Sequence, residues 1–355
     1  MTIEENVLLG PLTTLGVGGA AKYLVRVRSE GGLVEAVEFA RAKALPVFVL
    51  GGGSNLLVGD NGFHGLVLRM EIAGSLAFDE KNDAVEVEAA AGMDWDGFVL
   101  ATCERGLSGV ECLAGIPGMV GGTPVQNVGA YGQEVAETIV SVRALDLTTM
   151  QFVSLSAAEC GFAYRRSIFN STARGRYVVT SVTFRFDRRL RVELRYAELQ
   201  RRFEGQSPTP MEVYQAVREI RHGKGMLLVP GEADCRSAGS FFKNPVVSSA
   251  VFQRISDAAE GAVPYWDAGE GKVKLAAAWL VEQAGFHKGF AMGRAGISSS
   301  HTLAVVNRGG ATAGEIVALR DEIVRRVEER FSVQLEQEPV ILGDSRRLSS
   351  PASSL

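Results

Sequence analysis

The stretch GIPGMVGGTPVQNVGAYG, residues 115–132, decides how the rest of the chain is read. It lies within a run from Cys112 to Gln133, 22 residues without a charged side chain. That run is long and apolar enough to suggest a membrane span. Its six glycines, its two prolines, Gln126 and Asn127 argue instead for an irregular loop, because helix breakers and unpaired polar groups are not tolerated against lipid. A second glycine cluster, Leu50-Gly-Gly-Gly-Ser-Asn-Leu56, sits between two apolar runs. Successive backbone N–H groups in such a turn can form an anion-binding nest, with Ser54 and Asn55 as further donors. Each cluster alone reads equally as a tight turn. Together they point to a phosphate-bearing cofactor. The longer cluster, uncharged and rich in backbone donors, has what a planar, polar-edged ring such as a flavin requires.

A third cluster, Gly16-Val-Gly18-Gly-Ala-Ala21, matches the relaxed dinucleotide pattern G-x-G-x-x-A. That pattern works only where a helix follows and offers its N-terminus to a pyrophosphate. Here AKYLVRV (21–27) follows, and its alternation is that of a half-buried strand. A Rossmann site is therefore excluded, and no G-x-x-x-x-G-K-[ST] loop exists.

The chain has 355 residues, enough for two to three domains. Lys and Arg number 37 against 41 Asp and Glu, a net charge of −4. The basic excess of a nucleic-acid protein is absent. The 41 glycines are about 12% of the chain, well above the usual ~7%, and their clustering is what makes them informative. Cys103, Cys112, Cys160 and Cys235 show no CxxC spacing and no nearby His pair, so no metal site is expected. They read as buried reduced thiols of a reducing, cytoplasmic compartment. The N-terminus MTIEENVLLG has no signal-peptide pattern.

Further strands are predicted at PVFVL (46–50), GLVLRM (65–70), DAVEVEAA (83–90), IVSVRALDL, MQFVSLS and YVVTSVTFRF. Asp94 to Arg105 reads as a helix stopped by Gly106, with Trp95, Phe98, Val99 and Cys103 on one side. The first third is otherwise read as short strands and turns. A boundary is placed in EGQSPTP (204–210). Beyond it, a helix from Met211 to about His222 starts at Thr209 and Pro210. Another is expected over Lys274–Ala284. Thr312 and Glu315 form a capping box opening a helix to about Phe331. The tail 346–355 is expected to be disordered.

Three groups of reactive side chains remain. Tyr164-Arg165 follows Gly161-Phe-Ala163, and Arg165 is suited to holding a carboxylate. SAGSFFKNP (237–245) gathers hydroxyl, aromatic, cationic and amide groups, and also reads as a strand ending in a turn. Ser240 lacks the G-x-S-x-G context of an acyl-transfer nucleophile. Glu338, in LEQEPV (335–340), is placed for partial burial.

At these residues the chain resembles the UDP-N-acetylenolpyruvoylglucosamine reductases. The resemblance is carried by TTLGVGGAAKYLV (13–25), LGGGSNLLV (50–58), residues 115–135, FAYRRSIF (162–169), SAGSFFKNP, AAWLVEQAG (277–285), HTLAVVN (301–307) and LEQEPV, in family order over nearly all of 10–343. It implies an α+β fold with an FAD-binding part of the vanillyl-alcohol-oxidase type, made of two α+β subdomains, and a C-terminal α+β substrate-binding domain. The implied bounds are 1–70 joined by 332–345, 71–205, and 206–331. It implies non-covalent FAD, NADPH as cosubstrate and a sugar-nucleotide substrate. The implied reaction reduces an enolpyruvyl group to a lactyl ether in peptidoglycan precursor synthesis. A cytoplasmic monomer with no nucleic-acid or membrane partner is expected.

By motif, the resemblance makes Ser240 the proton donor to C2, with Arg165 and Glu338 stabilising the enolate. Tyr164, Lys243 and Asn244 become substrate contacts. Leu194-Arg-Tyr196-Ala-Glu-Leu199 matches a long-form segment whose tyrosine caps the substrate, here Tyr196. The flavin would be held by Gly51, Gly52, Gly53, Ser54, Asn55 and Leu56, and by Pro117, Gly118, Gly121, Gly122, Thr123, Gln126, Asn127, Gly129, Ala130 and Tyr131. One departure is Leu228, where some long-form members carry a phosphate-binding lysine; Lys224 and Arg221 are the candidates to replace it. The competing reading is another FAD-dependent oxidoreductase of the same architecture acting on an alcohol or a 2-hydroxy acid.

Overall fold

The alternation in residues 21–27 is realised as the strand Ala20–Val27, with Ala21, Leu24, Val25 and Val27 buried. It is described, like the rest, in a computed structural model covering residues 1–343 except Ser75, Leu190, Pro230 and Ala233. The tail expected to be disordered lies outside the described residues. The fold is α+β, and the chain divides into two units. The first holds Met1–Val7, Ala21–Gly53 and His64–Gly223; the second holds Leu8–Ala20, Ser54–Phe63 and the chain from Lys224 onward.

In the first unit a four-stranded sheet runs in the order Ile3–Leu8, Ala20–Val27, Phe63–Met70, Val47–Leu50. Val47–Leu50 and Phe63–Met70 are parallel, with Val47 opposite Leu66. A five-stranded antiparallel sheet runs Gln151–Ser156, Ile139–Asp146, Tyr177–Asp187, Ala84–Ala90, Ala77–Lys81. The helix Trp95–Glu104 lies over it. Asp94 caps that helix by accepting from Gly97 N–H at 2.8 Å. Phe98 packs on Phe184 with ring centroids 4.6 Å apart, and Trp95, Phe98, Phe184 and Phe186 are all fully buried. Burying each such ring contributes roughly 1.5–3 kcal/mol. The Trp95 indole donates to the Leu113 carbonyl at 3.1 Å, which ties this core to the floor of the glycine-rich loop.

The second unit has a four-stranded sheet in the order Ser237–Ser240, Ala304–Asn307, Ala295–Ile297, Ala291–Met292. It also has a three-stranded sheet, Val246–Ser248, Lys272–Leu275, Tyr265–Asp267, and a parallel pair, Val340–Leu342 with Leu56–Val58. The capping box opening Ala313–Phe331 is present. Thr312 accepts from Glu315 N–H at 3.1 Å, and Glu315 accepts from Thr312 N–H at 2.9 Å. The Asp60 carboxylate takes the N–H groups of Ala313 and Gly314, so the helix start is satisfied by side chains. Among the described residues no helix is long and apolar enough to cross a membrane.

Three sequence-based assignments change. Lys274 does not begin a helix: Lys272–Leu275 is a strand and the helix is Ala277–Gln283. Asn244 Oδ1 accepts from Ala277 N–H at 2.9 Å and so sets that start. The helix Glu30–Ala42 stands where short strands and turns are expected, and the helix Ser249–Ala258 lies in a stretch for which the sequence reading assigns no element. The helix Pro210–Gly223, assigned to the C-terminal domain, lies in the first unit. Its Val213, Tyr214, Ala216 and Val217 join that unit's core, and the Tyr214 hydroxyl donates to Asp96 at 3.2 Å. Of the four cysteines three are buried, while Cys235 is half-buried.

Candidate active site

The strand Val47–Leu50 runs straight into Gly51-Gly52-Gly53, whose last member has φ +65°. A Cβ on Gly52 would lie 2.7 Å from Gly118 Cα. The two glycine clusters of the first unit therefore touch backbone to backbone, a contact any side chain would prevent. Gly121 is similarly tight against Ala91, at 2.5 Å, while a Cβ on Gly122 would meet nothing within 4 Å. The longer loop is shaped by its own hydrogen bonds. Gly121 N–H donates to the Ala91 carbonyl, Gly122 to Met119 and Thr123 to Val120.

Both ends of the loop are anchored by a carboxylate that the sequence reading passed over. Glu111 is fully buried. It accepts from Ser108 Oγ at 2.8 Å, Gly109 N–H at 2.6 Å and Gln133 Nε2 at 3.0 Å. Gln133 Oε1 in turn accepts from Cys112 N–H at 2.9 Å. Arg221 is also buried and donates to the Gly115 carbonyl at 3.1 Å. This gives it a place under the loop that the sequence did not signal.

Asn127, 1% exposed with φ +45°, joins the loop to the arginine turn. Its amide donates to Glu134 at 2.6 Å and to the Ala163 carbonyl at 3.1 Å, and its oxygen accepts from Ala136 N–H. Ala163 and Arg166 exchange two backbone bonds, leaving Tyr164 and Arg165 at the tip of a tight turn. Arg165 has φ +53°, and its guanidinium lies 5.7 Å from the Tyr164 ring centroid. A non-glycine residue held in the left-handed region costs about 1–3 kcal/mol and is commonest where function requires it. Tyr131, also left-handed, meets Tyr196 edge to face at 5.1 Å. Tyr196 stands just before the helix Ala197–Arg202 and is 37% exposed.

In the second unit the sequence-predicted residues converge on one strand end. Ser240 ends Ser237–Ser240 opposite Ala304. Phe241 is fully buried and donates its N–H to Leu303 at 2.8 Å. The segment around Glu338 runs alongside. Glu338 N–H donates to the Phe241 carbonyl at 2.9 Å, and Lys243 N–H donates to Glu336. Asn55 closes the group: its amide donates to the Glu338 carbonyl at 3.4 Å and its carbonyl accepts from Val340 N–H at 3.0 Å. Ser240 and Glu338 are both half-buried. The Lys243 ammonium pairs with Glu336 at 2.5 Å.

No FAD is part of the structure, but the residues suit one. In the first unit the two loops meet without side chains at Gly52 and Gly118, Gly53 is left-handed, and the space above Gly122 is open, a glycine-lined surface of the kind that admits a flat ring or a phosphate. The comparisons agree. The FAD binding domain family matches residues 21–152. The C-terminal domain family of UDP-N-acetylenolpyruvoylglucosamine reductase matches residues 230–342. Fold and loops thus define an FAD-binding flavoprotein. The chain is 46% identical to the UDP-N-acetylenolpyruvoylglucosamine reductase of Thermobifida fusca over 96% of its own length and 98% of that protein's. It is 44% identical to that of Streptomyces coelicolor, over 94% and 89%. The crystal structure of the reductase from Thermus caldophilus superposes with a TM-score of 0.65 at 30% identity, covering 97% of this chain and all of that one. The chain belongs to the UDP-N-acetylenolpyruvoylglucosamine reductase family.

Proposed function

We propose that the chain is an NADPH-dependent flavoenzyme that reduces the enolpyruvyl group of UDP-N-acetylenolpyruvoylglucosamine to a lactyl ether. It would do so as a cytoplasmic monomer supplying peptidoglycan synthesis. Near-full-length identity to reductases of that name supports the activity. The observation that carries the site is the backbone pairing of Glu338 with the residue next to Ser240.

Gly51, Gly52, Gly53, Ser54, Asn55 and Leu56, with Pro117, Gly118, Gly121, Gly122, Thr123, Gln126, Asn127, Gly129, Ala130 and Tyr131, are the residues that would hold FAD. Bound there, FAD would supply two-electron hydride chemistry between NADPH and the enolpyruvyl group. The chain's own task is then to manage charge and a proton. Hydride at C3 leaves negative charge spread over C2 and the adjoining carboxylate. Ser240 Oγ–H protonates C2, and the serine recovers its proton from water. A serine hydroxyl is a weak acid, so the transfer needs charge on the substrate to match it. Arg165, on its strained turn, holds the carboxylate and stabilises the developing enolate, and Glu338, as a neutral carboxylic acid, adds an O–H donor to the enolate oxygen. Tyr196 covers the nucleotide part, and Tyr164, Lys243 and Asn244 contact the substrate.

The test is an absorption spectrum. The purified protein is expected to be yellow, to bleach anaerobically with NADPH and to recolour on addition of the enolpyruvyl sugar nucleotide. Bleaching without recolouring would overturn the substrate assignment.

A further inference from the structure

The motifs TTLGVGG and HTLAVVN have no part in the chemistry above, yet they meet at the start of the strand that carries Ser240. The strand Ser237–Ser240 is not regular. Ser237 faces Val306 and Ser240 faces Ala304, so three steps on one strand match two on the other. One extra residue is inserted, a β-bulge, and Gly239 with φ +72° takes the left-handed position. Side chains alternate between the two faces of a strand. The place where a bulge begins therefore decides which way every later side chain points. Here the later side chain is Ser240.

The start of the bulge is gripped by Thr14. Its Oγ donates to the Ser237 carbonyl at 2.6 Å, and it lies 3.4 Å from the Ser54 carbonyl, the weaker branch of a three-centre bond. The two residues after Thr14 are held in turn by Asn307, which is 3% exposed. The Asn307 amide donates to the Leu15 and Gly16 carbonyls at 3.1 and 3.3 Å, and its oxygen accepts from Gly309 and Ala311 N–H, both at 3.0 Å. The glycines of the motif let this loop press down: Cβ atoms on Gly18 and Gly19 would lie 2.4 Å from Val58 and 2.2 Å from the Asp60 carbonyl. The loop therefore has little freedom to take Thr14 elsewhere.

We propose that Thr14, locked by Asn307, is a positioning residue that fixes the start of the Ser237–Ser240 bulge and so aims the Ser240 hydroxyl. The proposal rests on the reading of Ser240 as proton donor. It also accounts for the GVGG cluster, whose glycines serve close packing.

Thr14→Val keeps the shape and removes the donor, whereas Thr14→Ser keeps the donor. In stopped flow with the FAD-loaded enzyme, Thr14→Val is expected to leave bleaching by NADPH and the KM for substrate near wild type. Reoxidation by substrate should slow about 10- to 100-fold, the scale of a misplaced reacting group. Thr14→Ser should restore most of that rate. In a Ser240→Ala background, Thr14→Val should add little further loss. Hydrogen exchange of the backbone amides of residues 237–241 should quicken in Thr14→Val and not in Thr14→Ser, a readout independent of turnover. Unchanged exchange, or a Thr14→Val that reoxidises normally while Ser240→Ala does not, would overturn the proposal. A Ser240→Ala variant that reoxidises at the wild-type rate would sink the proton-donor reading and the aiming role with it, even with the exchange change intact.

Discussion

Glu338 gives its backbone N–H to the carbonyl of Phe241 at 2.9 Å, which sets a glutamate from near the end of the chain beside the strand that carries Ser240. The bond is main chain to main chain, so it positions Glu338 whatever the side chain does. Asn55 reinforces it from the other side through the Glu338 carbonyl and Val340 N–H. A loop read as flavin-binding and a segment read as catalytic thus share one hydrogen-bonded patch within the second unit.

Gly52→Ala should cost the protein its flavin. The new Cβ would sit 2.7 Å from Gly118 Cα, and backbone cannot swing aside as a flexible side chain can. Overpacking of that kind costs about 1–3 kcal/mol, roughly tenfold or more in FAD affinity. The flavin-to-protein absorbance ratio after gel filtration measures it; a wild-type ratio would mean that the two loops do not hold FAD. In wild type, acid precipitation should release all the colour, because neither loop contains a His or Cys for covalent attachment.

Tyr196→Ala should raise the substrate KM about tenfold or more while NADPH still bleaches the flavin at the normal rate. Tyr196→Phe should lie between the two, since it keeps the ring that meets Tyr131. Loss of bound flavin from either variant would place Tyr196 in the FAD site instead.

Asp146 should govern acid stability. Arg176 grips it through Nε and Nη2, Thr148 N–H adds a third partner, and its carboxyl is held down to about 2. The unfolded value is about 3.9. The stabilisation is therefore complete above about pH 4 and is lost as pH falls through 2. Urea midpoints measured from pH 5 to 2.5 should fall more steeply for wild type than for Asp146→Asn. Parallel curves would show that the pair contributes nothing.

The buried thiols should behave in the opposite sense. Burial pushes Cys160 up to about 12, and raises Cys103 and Cys112 as well. Their neutral forms are favoured by folding, so this stabilisation is present below about pH 8.5 and fades as pH rises above it. A thiol reagent at pH 8 should modify half-buried Cys235 first and the other three only on unfolding. Rapid reaction of all four would contradict the burial.

Much of this was legible in the sequence because local signals and tertiary context agreed. The alternation of AKYLVRV, the Thr312 cap, the helix beginning next to Asp94 and the stop at Gly106 all appear where expected. Glu30–Ala42 was missed although Ser29 caps it and Leu33, Ala36, Val37 and Ala40 mark its buried face. Its Gly31-Gly32 pair reads as a turn, and packing overrode that propensity. Lys274 was misplaced because a strand and a helix adjoin with only Ala276 between them, and the cap comes from distant Asn244. The roles of Thr14 and Asn307 depend on partners far along the chain, which no local spacing reveals. Their motifs were visible but their contacts were not, and Glu111 lies outside every motif read from the sequence.

The most direct test is the Ser240→Ala enzyme followed through its two half-reactions in stopped flow. Removing the hydroxyl takes away the proton for C2 and little volume. Flavin bleaching by NADPH should stay near the wild-type rate, while recolouring by substrate should slow about 10²- to 10⁴-fold, the range expected for loss of a general acid. Equal slowing of both steps would make Ser240 a structural residue of the pocket and contradict its assignment as the proton donor.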